Sequence, residues 1–221
     1  MIEEGWFATL SHEVKDLLMD NAECQTVSEG QFVYRRGDAP TAFYGVVEGY
    51  LKIANQYPDG REALLSIVGT GSWFGEQSLI ENRPRLHDVQ ALCPSKILTV
   101  PRQRFEDMML QAPFSAALSR LLATRLRWLY CVLEDASWHT PRVRLARRLL
   151  LLTRGDAVLS SRCNPSITLP QQSLALMLGI SRQTLSKELH AMANDGALVM
   201  RYGRIEIGSL EVLERLAGSP D

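Results

Sequence analysis

The spacing of apolar residues changes along the chain, and each period predicts a different element. Residues 6–20 carry them at the intervals of an amphipathic helix. From about Thr26 to Val100 the runs become short and β-rich: QFVY, FYGVVEGYLKIA, ALLSIVG, DVQALC and KILTV. Eight glycines from Gly30 to Gly75 punctuate them, which predicts an antiparallel sandwich or barrel. Asp59-Gly60 suits a hairpin turn between two such strands. The tripeptide Arg36-Gly37-Asp38 has the composition of a cell-adhesion signal but is read as a turn between strands. Pro101–Gln111 predicts a short helix. A longer one follows, with Pro113 in its first turn and its end near Trp138.

In that longer helix Leu118, Leu122, Arg125, Leu129, Val132 and Ala136 recur at 4-3-4-3-4 spacing. A helix of about 26 residues spans roughly 39 Å. The repeat suits a heptad seam, with Arg125 its one polar break. The same stripe could pack on the chain's own domain, but a two-stranded homodimer seam is preferred. Thr140-Pro141 offers a cap and first-turn proline for the helix VRLARRLLLL. Gly155–Ser166 is loop-like, with room for a short strand.

The most informative stretch is residues 169–192, LPQQSLALMLGISRQTLSKELHAM. Leu174, Ala175 and Leu178 give a first helix an apolar face, and Gly179 suits the positive φ that ends it. Ser181 is placed as the N-cap of a second helix whose Leu185, Leu189 and Met192 share one face. Its other face carries Arg182, Gln183, Ser186, Lys187 and His190, groups suited to a DNA major groove. ALVMRYGRIEIG then reads as a hairpin turning at Tyr202-Gly203, the wing of a winged helix. A last helix covers Leu210–Ala217.

Charge sharpens this division. Net charge is −1, but from Arg142 onward 11 Lys and Arg face 7 Asp and Glu, an excess of +4 against −5 elsewhere. A basic C-terminal third suits a phosphate-facing module. Cys24, Cys93, Cys131 and Cys163 lie far apart without a CxxC pair, so no zinc site or disulfide framework is indicated. The chain shows no apolar run of membrane-spanning length and no signal peptide, which points to the cytoplasm and away from a membrane.

A β-rich sensor, a long helix and a winged helix, in that order, resemble the CRP/FNR family of bacterial transcription regulators. The motifs carrying the resemblance are YRRGDAPTAFYGVVEGYLKI, FGEQSLIENRPRLHDVQAL and GISRQTLSKEL. The resemblance implies an α+β fold. Its parts are an N-terminal antiparallel β-roll (a double-stranded β-helix, jelly-roll-like), a long dimerisation helix and a C-terminal winged helix-turn-helix. The expected divisions are a cyclic-nucleotide-binding-like sensor at 1–112, the helix at 113–138 and the DNA-binding domain at 139–221. It implies a homodimeric, non-enzymatic regulator that binds a double-stranded DNA operator, works with RNA polymerase and takes a small-molecule effector.

The second motif resembles the phosphate-binding cassette of cyclic-nucleotide domains, here the turn Gly75, Glu76, Gln77 and Ser78 followed by Arg85. The resemblance gives Gly75 a backbone approach to ligand, Glu76 a ribose hydroxyl and Arg85 the cyclic phosphate. It places an arginine of cyclic-AMP-binding members at Arg125. The chain departs from the pattern at Leu86, where a small hydroxyl residue is usual and where leucine is expected to project its bulk. His87 follows where small or apolar residues are usual. Leu129 and Tyr130 replace a threonine–serine pair that contacts adenine. These changes predict that cyclic AMP is not bound in the usual mode. A cyclic-nucleotide-responsive regulator is one alternative; a cyclic-nucleotide-controlled enzyme subunit is another, opposed by GISRQTLSKEL. Haem on His87, an unidentified organic ligand and no ligand at all are the remaining options, so no cofactor is assigned. The third motif gives Arg182 a guanine. Gln183 and Lys187, in place of glutamate and arginine, predict an operator that departs from a TGTGA-like half-site. Ser181, Thr184 and Gln172 are candidates for phosphate contacts.

Overall fold

The computed structural model describes residues 5–56, 62–153, 166–167, 171–201 and 204–218. In chain order the first elements are α1 (Gly5–Ala8), α2 (His12–Asp20), β1 (Glu23–Val27), β2 (Phe32–Tyr34), β3 (Ala42–Glu48), β4 (Tyr50–Gln56) and β5 (Glu62–Gly69). Then come β6 (Trp73–Phe74), α3 (Glu76–Glu81), β7 (Asp88–Ala91), β8 (Ser95–Pro101), α4 (Arg102–Met109) and α5 (Ala112–Trp138). The remainder are α6 (Pro141–Thr153), β9 (Ser166–Ile167), α7 (Gln171–Leu178), α8 (Arg182–Asn194), β10 (Leu198–Arg201), β11 (Arg204–Ile207) and α9 (Leu210–Leu216). The chain divides into two compact units, with the break between Leu126 and Arg127.

Two antiparallel four-stranded sheets, ordered β1-β8-β3-β6 and β2-β7-β4-β5, build the first unit. Val27, Tyr44, Val46, Leu51, Val68, Phe74, Val89 and Ile97 form one core cluster drawn from both sheets. Phe43, Trp73, Leu98 and Val100 instead join a second cluster with residues of α1, α2, α4 and α5. The strand β3 contributes to both, which explains why Ala42–Val46 is a continuous apolar run rather than an alternating one. The buried Trp6 indole donates to the Ala117 carbonyl at 3.2 Å and ties α1 to α5.

Three expectations change here. The amphipathic segment 6–20 is two helices. Thr9 Oγ1 donates to the Trp6 carbonyl at 2.7 Å, and Ser11 caps a new start by accepting from the Val14 N–H. The long helix does not stand apart from the sensor: Phe114, Ala117, Leu118 and Leu121 lie in the first unit's core. Leu118, expected on a dimer seam, is 1% exposed and fills its own unit. The turns at Asp59-Gly60 and Tyr202-Gly203 lie outside the described residues. Their flanks pair antiparallel, with Gln56 opposite Glu62 and Arg201 opposite Arg204.

The second unit packs α6, α7, α8 and α9 around Leu145, Leu149, Leu174, Leu185, Leu189, Met192 and Leu213. Its small antiparallel sheet has the order β10-β11-β9. At the end of α7, Gly179 takes φ +63°. The Ile180 N–H reaches the Ala175 carbonyl and the Gly179 N–H the Leu176 carbonyl, both at 3.1 Å. This is the paired closure that a left-handed residue permits. Ser181 Oγ then accepts from the Thr184 N–H at 3.0 Å and starts α8. The turn and cap read from GISRQT are therefore both present.

Candidate nucleic-acid interface and sensor site

The helix α8 has two faces of opposite character. Leu185, Leu189 and Met192 are fully buried. Arg182, Gln183, Lys187 and His190 are exposed, Thr184 and Ser186 half-buried, and Gln172 is exposed near the start of α7. The side chains of Arg182, Gln183 and Lys187 form no hydrogen bond or ion pair among the described residues. His190 Nδ1 donates back to the Ser186 carbonyl at 2.7 Å, which fixes its ring.

The arginines of α6 are engaged. On α6, Arg142 pairs with Asp195, Arg144 donates to the Leu178 carbonyl, and Arg147 donates to the Ala217 carbonyl at 2.9 Å. Arg148 is buried with its guanidinium 5.0 Å from the Trp128 ring. The basic excess of the C-terminal third is thus partly taken up by protein groups, whereas Arg182 and Lys187 of α8 face solvent without a partner among the described residues.

In the first unit, Gly75 caps α3 at φ +92°. A Cβ there would sit 3.0 Å from Arg85 Nη1 and 3.3 Å from the Tyr44 ring, so both backbone sign and space call for glycine. Arg85 is 2% exposed. It donates to the Gly75 carbonyl at 2.6 Å and the Ala42 carbonyl at 2.5 Å. Its guanidinium also stacks 4.3 Å from the Tyr34 ring and 5.6 Å from that of Tyr44. Glu76, equally buried, pairs with Arg125, whose other guanidinium nitrogen donates to the Trp73 carbonyl. On the charged side chains of this cassette, Arg85 Nε and Glu76 Oε2 stay buried without a partner. Burial also pushes the Tyr34 phenol well above its ordinary pKa, against the opposing pull of Arg85.

The structure therefore brings together Gly75, Glu76, Arg85 and Arg125. Ser78 is buried near them in α3, whereas Gln77 is exposed. Leu86 requires correction: it is 49% exposed, so its bulk does not fill the cassette. Arg85 is buried and its neighbour turns outward at the bend before β7. His87 is half-buried with Nδ1 3.3 Å from the Asn55 side-chain amide. Its pKa is pushed below the usual imidazole value, first by burial and then by Arg36, with Asp88 opposing. Leu129 and Tyr130 belong to the second unit and are exposed. Among the described residues no cluster of three or more His, Cys, Asp or Glu could hold a metal.

The proposed seam also shifts. Arg125 is engaged by Glu76, and Val132 is half-buried. The side chain of Ala136 lies outside the described residues. The exposed large apolar residues of α5 are Leu126, Leu129, Tyr130 and Leu133, adjoining a half-buried Leu122, and Trp138 at its end.

Comparison with known proteins identifies both domains. The cyclic nucleotide-binding domain family matches residues 24–112, and the Crp-like helix-turn-helix domain family matches residues 143–216. The chain is 30% identical over 190 residues to the CRP-like cAMP-activated global transcriptional regulator of Mycobacterium tuberculosis, covering 85% of each chain. The chain belongs to the CRP/FNR family. It is also 29% identical over 212 residues to the cyclic AMP receptor protein of Thermus thermophilus, covering 96% of this chain and 95% of that one. A solved CRP-family transcriptional regulator from Thermus thermophilus matches with a TM-score of 0.70 at 25% identity, over 88% of this chain and 97% of that one. This CRP-family chain is a transcription regulator, as its relatives are, and not an enzyme. The Crp-like domain overturns the alternative of a cyclic-nucleotide-controlled enzyme subunit. Among the described residues no helix is long and apolar enough to cross a membrane.

Sequence reasoning missed Tyr34, Tyr44 and the Trp73 carbonyl as partners of the cassette arginines. Their approach is made by chain folding over long sequence separations, and no spacing rule encodes it. It also missed that Arg142, Arg144 and Arg147 face protein groups, although their place on a helix with buried Leu145 and Leu149 was a usable hint.

Proposed function

We propose that this CRP-family regulator binds a two-fold DNA operator as a homodimer, working in the cytoplasm with RNA polymerase recruited or excluded as the outcome. The observation that carries the reading is α8, whose apolar face is fully buried while Arg182, Gln183 and Lys187 are exposed and unpaired. That arrangement presents a bidentate donor, an amide and a point charge to base edges and phosphates. Exposed Leu126, Leu129 and Leu133, together with Leu122, repeat at 4-3-4 spacing and supply a two-helix seam. A dimer places two such helices on half-sites one helical turn apart.

The experiment is selection of binding sites from random DNA, followed by mobility shifts on the selected site. Arg182→Ala should cost about 1–3 kcal/mol and relax the preference at one guanine per half-site. Gln172→Ala should instead weaken binding to all sequences by a similar factor. An unaltered preference in Arg182→Ala overturns the base-reading assignment.

For the sensor, we propose that operator binding does not require cyclic AMP, because Arg85 already has two carbonyl partners and two aromatic faces. One observation favours the second reading, a cyclic-nucleotide-responsive regulator. Glu76 Oε2 and Arg85 Nε are a buried acceptor and a buried donor without partners, and a ligand hydroxyl and phosphate would satisfy them. The names of two relatives point the same way.

A further inference from the structure

We infer that Arg142 and Arg144 are positioning residues for DNA recognition: from α6 they pin the two ends of the helix-turn-helix and set the angle at which α8 is presented. This rests on the reading of α8 as the DNA-reading helix.

The last carbonyls of a helix lack intrahelical partners and carry partial negative charge. A guanidinium placed there satisfies both. Arg144 does this at the end of α7, where it takes the Leu178 carbonyl. The neighbouring Ala175 and Leu176 carbonyls already receive the Ile180 and Gly179 N–H groups. Arg144 thus fixes the turn just before the cap residue Ser181. Arg142 pairs with Asp195, the residue that ends α8. The two anchors lie near opposite ends of a 13-residue helix, separated by about 20 Å. Leu185, Leu189 and Met192 hold the middle of α8 against the core, but a central apolar seam resists rocking about itself less than it resists separation. Anchors at the ends oppose that rocking. A third arginine of the same helix supplies an internal control. Arg147 donates to the Ala217 carbonyl at the end of α9, which carries none of the DNA-reading residues.

The test compares Arg142→Gln, Arg144→Met and Arg147→Met in the full-length protein. For each, thermal melting is measured together with affinity for the selected operator and for unrelated DNA across a salt series. Positioning predicts that Arg144→Met lowers operator affinity about tenfold, the size of one charge-assisted hydrogen bond, and that Arg142→Gln, which breaks a solvent-screened pair, lowers it about threefold. Affinity for unrelated DNA should change much less. Arg147→Met should lower the melting temperature comparably while the operator-to-unrelated ratio stays at the wild-type value. Arg142→Asp with Asp195→Arg, which restores the pair in reverse, should recover the ratio lost in Arg142→Asp alone. Equal loss on operator and unrelated DNA, with a shallower salt slope, would show direct phosphate contacts and overturn the inference. A ratio in Arg142→Gln and Arg144→Met no different from that in Arg147→Met also overturns it. In both of those outcomes Arg182→Ala still relaxes the base preference. Failure of the wild-type protein to select any sequence overturns the DNA-reading assignment itself.

Discussion

An arginine does different work according to what it meets. Arg85 meets two carbonyls and two tyrosine rings and is buried. Arg125 meets Glu76 and the Trp73 carbonyl, while Arg182 meets nothing among the described residues. Histidine shows the same dependence. His87 is held beside Asn55, and burial, reinforced by Arg36, favours its neutral form against the pull of Asp88. Its folded pKa therefore lies below the ordinary value of 6.5. The unfolded chain takes up a proton at higher pH than the folded one, so stability falls as pH drops through the ordinary value and levels off below the folded pKa. We expect urea-unfolding free energies to decline from neutral toward mildly acid pH, and His87→Gln to remove part of that slope. An identical pH dependence in the variant would show that the imidazole titrates alike in both states. Glu76, Arg85 and Arg125 were legible only through the family resemblance, the first two in the cassette motif and the third on the long helix. Which partner each found was not legible, since carbonyls and aromatic faces leave no trace in spacing.

At the scale of elements, periodicity located the helices better than it assigned their faces. The turn and cap around Gly179 and Ser181 were legible because each depends on one residue type at one place. The break between α1 and α2 was harder to see, since apolar spacing continues across it and a serine cap is a local signal that competes with the helical pattern. On α5 the reading was off by part of a turn. The helix carries two apolar stripes, Phe114–Ala117–Leu118–Leu121 facing its own core and a second in which Leu122 is half-buried and Leu126, Leu129 and Leu133 are exposed. A seam drawn from sequence took residues from both, because spacing alone does not say which stripe is inside. The corrected stripe makes a sharper prediction. Leu126→Glu with Leu129→Glu should place like charges on facing strands without touching the core, since both leucines are half-exposed or more. Sedimentation should then report monomer with an unchanged melting curve at low concentration, and operator binding should fall severely. A dimer that survives both substitutions would assign the stripe to some other contact.

For the molecule as a whole, counting charge overstated the DNA-facing surface, because arginines of α6 serve the interior of their own unit. At the sensor the same question is what its arginine already meets. A cyclic nucleotide entering the cassette would bring a ribose hydroxyl for Glu76 Oε2 and a phosphate for Arg85. To reach Arg85 fully the phosphate must replace two charge-assisted bonds to carbonyls, each contributing about 1.5–3 kcal/mol. The residues that the family resemblance sets at the adenine-contacting positions are Leu129 and Tyr130, and leucine has no hydrogen-bonding group for a base. A ligand shifts a conformational equilibrium only by its difference in affinity for the two states, and the exchange of partners at Arg85 subtracts from that difference. We therefore expect cyclic AMP to bind weakly and to leave operator affinity unchanged. Calorimetry with cyclic AMP and cyclic GMP, alongside operator titrations with and without each, measures both quantities. Micromolar binding that also tightens the operator complex would overturn this and show that Arg85 exchanges its carbonyl partners readily. Leu86→Ser separates the two arguments made from the sequence. Leu86 faces solvent, so the substitution should alter nucleotide affinity and stability by no more than about twofold, as surface changes generally do. A large gain in affinity would show instead that the missing hydroxyl, and not the occupied arginine, keeps the nucleotide out.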